Sequence, residues 1–228
     1  MTLYLFPNLL GNVLDHHDFL PQSVDRAVEE IDGLIAESVS GGRRFLKNFQ
    51  TKKKPHEMPI ALIDEKADFL LKPVREGECW GVVSDAGLPC LADPGMHLVR
   101  RANQLGIPLQ TFPGPSSLTM ALVLSGLPAQ RFTFYGYLSK EPKKRIEELI
   151  TIGESNQTAL FIESPYRNQH TFDACLKVLK PHHWLTVASD LTLLTQSVLT
   201  KQIKSWRQEA FIIEKRPTIF VVYPGNIS

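Results

Sequence analysis

Two short stretches carry residue types suited to holding a ligand. The run CWGVVSD (Cys79–Asp85) leads through Asp85, Ala86 and Gly87 into LPCLADPG, which crowds Pro89, Pro94 and Gly95 into the same segment. Proline removes a backbone donor, so this segment continues neither a strand nor a helix. It reads as a constrained loop, and Gly87 lets another group approach bare backbone. The second stretch is Pro113-Gly114-Pro115 followed by Ser116 and Ser117. These serines precede an apolar helix, where hydroxyls and unpaired N–H groups favour a carboxylate or a phosphate. The chemistry suggested is recognition of a small polar ligand; the same residues would also make two rigid turns and a helix cap.

Two basic clusters invite a different chemistry. RRFLKNFQTKKK gathers Arg43, Arg44, Lys47, Lys52, Lys53 and Lys54 around Phe45 and Phe49, and Lys140, Lys143, Lys144 and Arg145 form a second group. Such clusters neutralise phosphates with an affinity that falls as salt rises. They also occur as solvated helix faces. The pairs His16-His17 and His182-His183 are adjacent, and adjacent side chains are expected to diverge, unlike the i, i+4 spacing of a chelating helix. No metal site is expected.

The elements that must position these residues alternate. TLYLF (Thr2–Phe6) reads as a strand, SVDRAVEE as an amphipathic helix, GLIAES as a strand, and GGRRFLKNFQTKKK (Gly41–Lys54) as a basic helix running into a lysine-rich loop. DEKADFLLKPVREG reads as one helix, CWGVVSD as a buried strand, GMHLVRRANQLG as a helix closed by glycine and IPLQTF as a strand. This alternation predicts a parallel sheet covered by helices. The proline-serine break places a domain boundary there, giving domains 1–113 and 114–228. Beyond it, strands are expected at RFTFYGYL, QTALFIES, WLTVASD and PTIFVVY, with helices at KEPKKRIEELITIGE and NQHTFDACLKVL.

Composition limits the partners. The chain has 228 residues and a formal charge of +1 from 25 basic and 24 acidic side chains. Any nucleic-acid contact must therefore come from a local patch. Three scattered cysteines fit neither a disulfide framework nor a zinc spacing, as expected of a reducing cytoplasm. No apolar stretch reaches membrane-spanning length, so no membrane partner is expected.

SDAGLPCLADPG, PGPSSLTMALVLSGLP, FYGYL followed by KEPKKR, and ESPYR stand in an order that resembles the tetrapyrrole methylase-like class of S-adenosylmethionine-dependent methyltransferases. The sequence is most similar to the branch that methylates the ribose 2′-oxygen of a cytidine in small-subunit ribosomal RNA. The resemblance runs from TLYLF to FVVYPG. It implies two α/β domains with the cofactor in the cleft between them, and a cytoplasmic homodimer acting on RNA. It further implies that S-adenosylmethionine touches Leu10, then Ala86, Gly87, Leu88 and Leu91, then Ser116 and Ser117, then Ile162 and Thr218.

Departures from the pattern fall at positions expected to face substrate. The branch has Thr-Pro-Ile-Gly-Asn in place of NLLGN, and Ala-Glu-Asp-Thr-Arg in place of AESVS (Ala36–Ser40), which keeps Glu37. It has threonine where Leu88 stands, histidine where Tyr166 stands, and Glu-Leu-Thr-Lys in place of Asp190–Leu193. Methyl transfer from a sulfonium asks the enzyme mainly to align the nucleophile, at roughly 3–3.5 Å. A ribose hydroxyl also benefits from a base. Glu37, Asp85 and Glu163 are the candidate acids nearest the implied cleft, and Arg167 is a candidate phosphate ligand. Asp85 also suits a loop cap, and Glu163 with Arg167 suits a structural ion pair. Two other functions fit the same frame: a tetrapyrrole or other small-molecule methyltransferase, and a cofactor-binding protein that has lost catalysis.

Overall fold

The computed structural model describes residues 1–227. The chain divides into two compact units, the first Met1–Ser116 and the second beginning at Ser117.

The first unit runs β1 (Thr2–Phe6), α1 (Gln22–Glu30), β2 (Gly33–Ala36), α2 (Val39–Leu46), β3 (Ile60–Leu62), α3 (Ala67–Leu70), α4 (Lys72–Arg75), β4 (Cys79–Val83), α5 (Met96–Gln104) and β5 (Leu109–Thr111). Its sheet has the order β3-β2-β4-β1-β5, and every pairing is parallel. The central strands are apolar on both faces because helices cover both. Tyr4, Phe6, Leu34, Ala36 and Val83 pack with Val24, Val28 and Phe45 on one face. Leu3, Ile35, Trp80 and Val82 pack with Leu70, Val74, Leu98 and Ala102 on the other. The connection from β1 leads to β2 on one side of the sheet order, and the connection from β4 leads to β5 on the other. Their divergence opens a crevice beyond the carboxyl ends of two neighbouring strands, where open α/β sheets collect ligands.

The second unit runs α6 (Ser117–Ser125), β6 (Phe132–Tyr137), α7 (Pro142–Glu154), β7 (Thr158–Glu163), α8 (Asn168–Val178), β8 (Trp184–Ser189), β9 (Ser197–Gln202), α9 (Ile203–Trp206) and β10 (Thr218–Tyr223). The sheet order is β6-β7-β10-β8-β9. Only β6 and β7 are parallel; β10 runs antiparallel to both β7 and β8, and β8 to β9. Phe161, Phe172, Cys175, Trp206 and Phe220 form the core on one face, with Leu149 and Ile152 of α7. On α6, Ala121, Leu122 and Ser125 are buried, and the helix packs on β10 and β9.

Several expectations change. The parallel sheet expected before the boundary is present in the first unit; the second sheet, whose strand directions were not expected either way, is mostly antiparallel. The basic helix stops at Leu46, and Lys47–Lys54 lie beyond it, because the Arg43 guanidinium holds the carbonyls of Pro55 and, at 2.7 Å, Met58. The single helix expected over DEKADFLLKPVREG is two short ones, α3 and α4. Pro73 falls in the first turn of α4, where its missing N–H costs nothing.

Candidate functional site

Asn8, just past β1, ties the crevice together. Its backbone exchanges two hydrogen bonds with Gly87: Asn8 N–H donates to the Gly87 carbonyl at 2.7 Å, and Gly87 N–H returns to Asn8 at 3.1 Å. Its buried side-chain amide donates to the carbonyls of Ser84 (2.8 Å) and Asp85 (3.2 Å), while its oxygen accepts from Leu9 N–H. The β1 and β4 loops are thereby laced edge to edge. Gly87 has φ +71°, a conformation that favours glycine. The atoms nearest to where its Cβ would stand are Leu10 Cδ2 at 3.4 Å and the Pro115 carbonyl oxygen at 3.7 Å. Leu10, Gly87 and Pro115, from three separate loops, therefore converge, and buried Ser116 follows directly. Sequence reasoning gave Gly87 an open backbone, but Asn8 occupies both of its polar groups. Among the described residues, the N–H groups of Leu10, Ala86 and Leu88 donate to no acceptor.

The rest of that loop is held under strain. Cys90 (φ 65°) and Ala92 (φ 70°) are left-handed without being glycine, flanked by Gly87 and by Gly95 at φ 118°. Backbone of this kind costs energy and concentrates at functional sites. Leu88 is partly buried and Leu91 is exposed.

Three carboxylates gather at the ends of β2 and β4. The Asp85 N–H donates to Glu37 Oε1 at 3.2 Å, and Ser38 Oγ lies 3.5 Å from Asp85 Oδ1. Ser38 caps α2 by accepting from Gly41 N–H at 3.0 Å. A Cβ on Gly41 would stand 2.0 Å from Asp85 Oδ1, so glycine here is what lets the carboxylate rest on the first turn of α2. Burial pushes the Glu37 carboxyl above its usual range; nearby Asp93 and Asp85 add to this, while the Asp85 N–H opposes it. Burial likewise raises Asp93, with Asp85 adding and the Ser84 hydroxyl opposing. Beside these acids lies a cavity of about 440 Å³ lined by Asn8, Leu10, Asn12, Arg44, Asn48 and Asp85, among others.

In the second unit, Ile162 lies at the end of β7 and Thr218 at the start of β10. Thr218 pairs across the ladder with Glu163, and Ile219 with Ile162. Directly opposed residues share a face, so the Ile162 and Thr218 side chains point to opposite faces. The Thr218 hydroxyl is engaged by Ser189 (2.8 Å), Asn168 (3.1 Å) and the Arg216 carbonyl (3.0 Å). Glu163 is buried and its oxygens are taken: Oε1 by Ser164 N–H (2.6 Å) and Arg167 Nη2 (2.5 Å), Oε2 by the Thr171 hydroxyl (2.9 Å). It is a structural ion pair, not an available base, and Arg167 is half committed by it. Exposed Tyr166 carries Lys215 Nζ 5.4 Å from its ring.

The basic residues separate. Arg145 lies buried in α7, its Nη1 3.4 Å from the Ser139 carbonyl, because its position faces the core side of that helix. It is withdrawn from the surface cluster. Lys52 pairs with Asp32 at 2.8 Å and Lys144 with Glu141 at 3.0 Å. Arg44, Lys47, Lys53, Lys54, Lys140 and Lys143 are exposed, without an ion pair among the described residues. The His16 and His17 rings do not diverge: their centroids lie 4.0 Å apart, and with Asp15 they bring possible metal-binding atoms within 4.8 Å of one another. His16 Nε2 already faces Asp25 at 2.9 Å. Sequence reasoning missed Asn8, Asp93 and Asn48; Asn8 carried a signal, standing at a departure from the family pattern.

Residues 16–206 match the family described as Tetrapyrrole (Corrin/Porphyrin) Methylases. A protein named Ribosomal RNA small subunit methyltransferase I from Pasteurella multocida is 29% identical over 206 residues, 90% of this chain and 72% of that one. Its namesake from Halalkalibacterium halodurans is 31% identical over 214 residues, 92% of this chain and 72% of that one. The crystal structure of the methyltransferase CobJ matches with a TM-score of 0.64 at 15% identity, covering 97% of this chain and 93% of that one. Uroporphyrin-III-C-methyltransferase from Thermus thermophilus matches with a TM-score of 0.61 at 16% identity. The parallel first sheet, the mixed second sheet and the match over most of the length agree: the chain is a methyltransferase belonging to the tetrapyrrole (corrin/porphyrin) methylase family.

Proposed function

We propose that the protein transfers a methyl group from S-adenosylmethionine to a ribose 2′-oxygen of small-subunit ribosomal RNA. The observation that carries this reading is the convergence of Leu10, Gly87 and Pro115 beside a cavity edged by Asp85 and by Arg44. The family and the names of the relatives support methyl transfer to RNA. The residues suit the cofactor: the unpaired N–H groups of Leu10, Ala86 and Leu88 offer donors, and the Leu10 side chain offers an apolar contact. Leu91, Ser116, Ser117, Ile162 and Thr218 are assigned to it by the family resemblance. Bound there, S-adenosylmethionine supplies a methyl group activated by a sulfonium.

The chain's own task is then to orient the ribose hydroxyl and receive its proton. Glu37, raised by burial at the end of β2, and Asp85, held on α2, are the acids positioned for this. The family resemblance also supports a homodimer in the cytoplasm.

The test is calorimetry with S-adenosylmethionine and its demethylated product, then transfer of labelled methyl to small subunits from cells lacking the gene. Heat on binding and 2′-O-methyl label in the small-subunit RNA are expected. Label only in a tetrapyrrole precursor would move the enzyme to small molecules, and binding without transfer to any pool would make it a cofactor-binding protein. Light scattering at the monomer mass of 25.7 kDa would reject the dimer.

A further inference from the structure

The helix α2 begins where the family pattern breaks. Position 40, an arginine in the RNA-methylating branch, is Ser40 here, and Arg44 stands four residues on in the same helix. An i, i+4 step advances about 6 Å and returns to the same face. Side chains on a helix lean toward its N-terminus, so a guanidinium at 44 reaches back over the turn that carries 40.

The surroundings of Arg44 set it apart from the rest of the basic run. Arg43 is tied to the Pro55 and Met58 carbonyls and Lys52 to Asp32. Arg44 is exposed and makes no hydrogen bond or ion pair among the described residues. It lines the cavity of about 440 Å³ together with Asn12 and Asn48, whose amides are also uncommitted among the described residues. Asp85, the acid of that cavity, packs onto Ser38 and Gly41 at the electropositive start of α2, where its charge is countered. The cavity thus offers one free guanidinium and two free amides. A guanidinium matches a phosphate bidentately, and an amide offers both a donor and an acceptor to a base edge. The volume falls in the ~300–1,000 Å³ range of small-ligand pockets, which suits one extruded nucleotide and not a duplex.

We propose that Arg44, one turn of α2 beyond the position where the resembled branch carries arginine, clamps the phosphate beside a target nucleotide seated in the cavity. This rests on the RNA methyltransferase reading.

The test compares wild type, Arg44→Ala, Arg44→Lys and the double variant Ser40→Arg/Arg44→Ala. Readouts are KM for small-subunit RNA, binding of a short single-stranded oligoribonucleotide across a salt series, and calorimetric affinity for S-adenosylmethionine. Arg44→Ala is expected to raise KM about tenfold or more, the effect of losing a charge-assisted contact. It should also flatten the salt slope by about 0.7, one phosphate contact on a single strand. Cofactor affinity should stay within about twofold, Arg44→Lys should recover part of the loss by restoring charge without the fork, and the double variant should recover most of it. An unchanged KM and slope in Arg44→Ala, a parallel loss of cofactor affinity, or a double variant no better than Arg44→Ala would overturn the inference. If wild type binds cofactor but methylates no RNA, the functional reading fails, and the oligoribonucleotide slope still decides the role of Arg44. Arg44-dependent binding of a polycarboxylate tetrapyrrole with no such dependence for RNA would also overturn it.

Discussion

Cys90 and Ala92 hold left-handed backbone at φ 65° and 70° in the loop after β4, a conformation that costs an L-residue roughly 1–2 kcal/mol. Replacing Ala92 by glycine removes that cost, offset by glycine's greater freedom in the unfolded chain. Ala92→Gly is therefore expected to stabilise the protein by up to about 1 kcal/mol in denaturant titrations. If the strain sets where the loop meets its ligand, the same variant will lose methyl-transfer rate while gaining stability. Asp93, in the same loop, gives a pH test. Its carboxyl is raised by burial, so the folded state prefers it protonated. That contribution is fully present below the unfolded carboxylate pKa, near 3.9, and is lost as pH rises through the raised folded value. Asp93→Asn does not titrate, so its Tm relative to wild type should be higher at pH 7 than at pH 3.5. A constant difference would mean that Asp93 feels no burial penalty.

His183 acts on a whole turn, the one joining α8 to β8. Its N–H donates to the Lys180 carbonyl at 3.0 Å, and its ring Nδ1 accepts from Lys180 N–H at 3.3 Å, which requires a neutral ring. Burial, helped by His182 and Lys180, lowers its pKa from 6.5 to about 4. A depressed histidine contributes stability above the unfolded pKa and loses it as pH falls toward the folded one. The protein should weaken between pH 6.5 and 4 by at most ~3 kcal/mol from this group, and His183→Gln should remove that slope. At this scale the strands and helices were readable wherever apolar runs met prolines or glycines, as at Cys79–Val83 followed by Gly87 and Pro89. The edge strand β3 was an exception: although Pro59 precedes it, no glycine-closed helix comes before it, as one does before the equally short β5. The return of the lysine-rich segment onto α2 depends on Arg43 reaching carbonyls 12 and 15 residues away, which no local pattern records. The loops expected to hold the ligand were legible from their glycine, prolines and serines. Asn8 was not, because its role exists only once β1 and β4 lie side by side, 76 residues apart at Ser84.

Across the whole molecule, a charge of +1 leaves any hold on RNA to local groups, and only some of the basic residues are placed to provide one. Each unit buries its own core, so damage to one sheet need not unfold the other. The strand orders also fix a timetable for biosynthesis. In the first sheet β1 touches only β4 and β5, so it has no partner until residues 79–83 exist. At 5–20 residues per second that wait lasts about 4–15 s, with Leu3, Tyr4 and Phe6 uncovered meanwhile. The second sheet waits longer still. Its middle strand, β10, is the last made, and until it arrives β6-β7 and β8-β9 are two separate ribbons, each too small to be stable alone. A stop codon before Thr218 should therefore leave the first unit resistant to limited proteolysis and the second fully digested, whereas survival of both would show that the two ribbons hold without their keystone. The second sheet is thus completed from the inside by its last strand, so a ribosome interrupted before it releases a half-built sheet and not a slightly shorter enzyme.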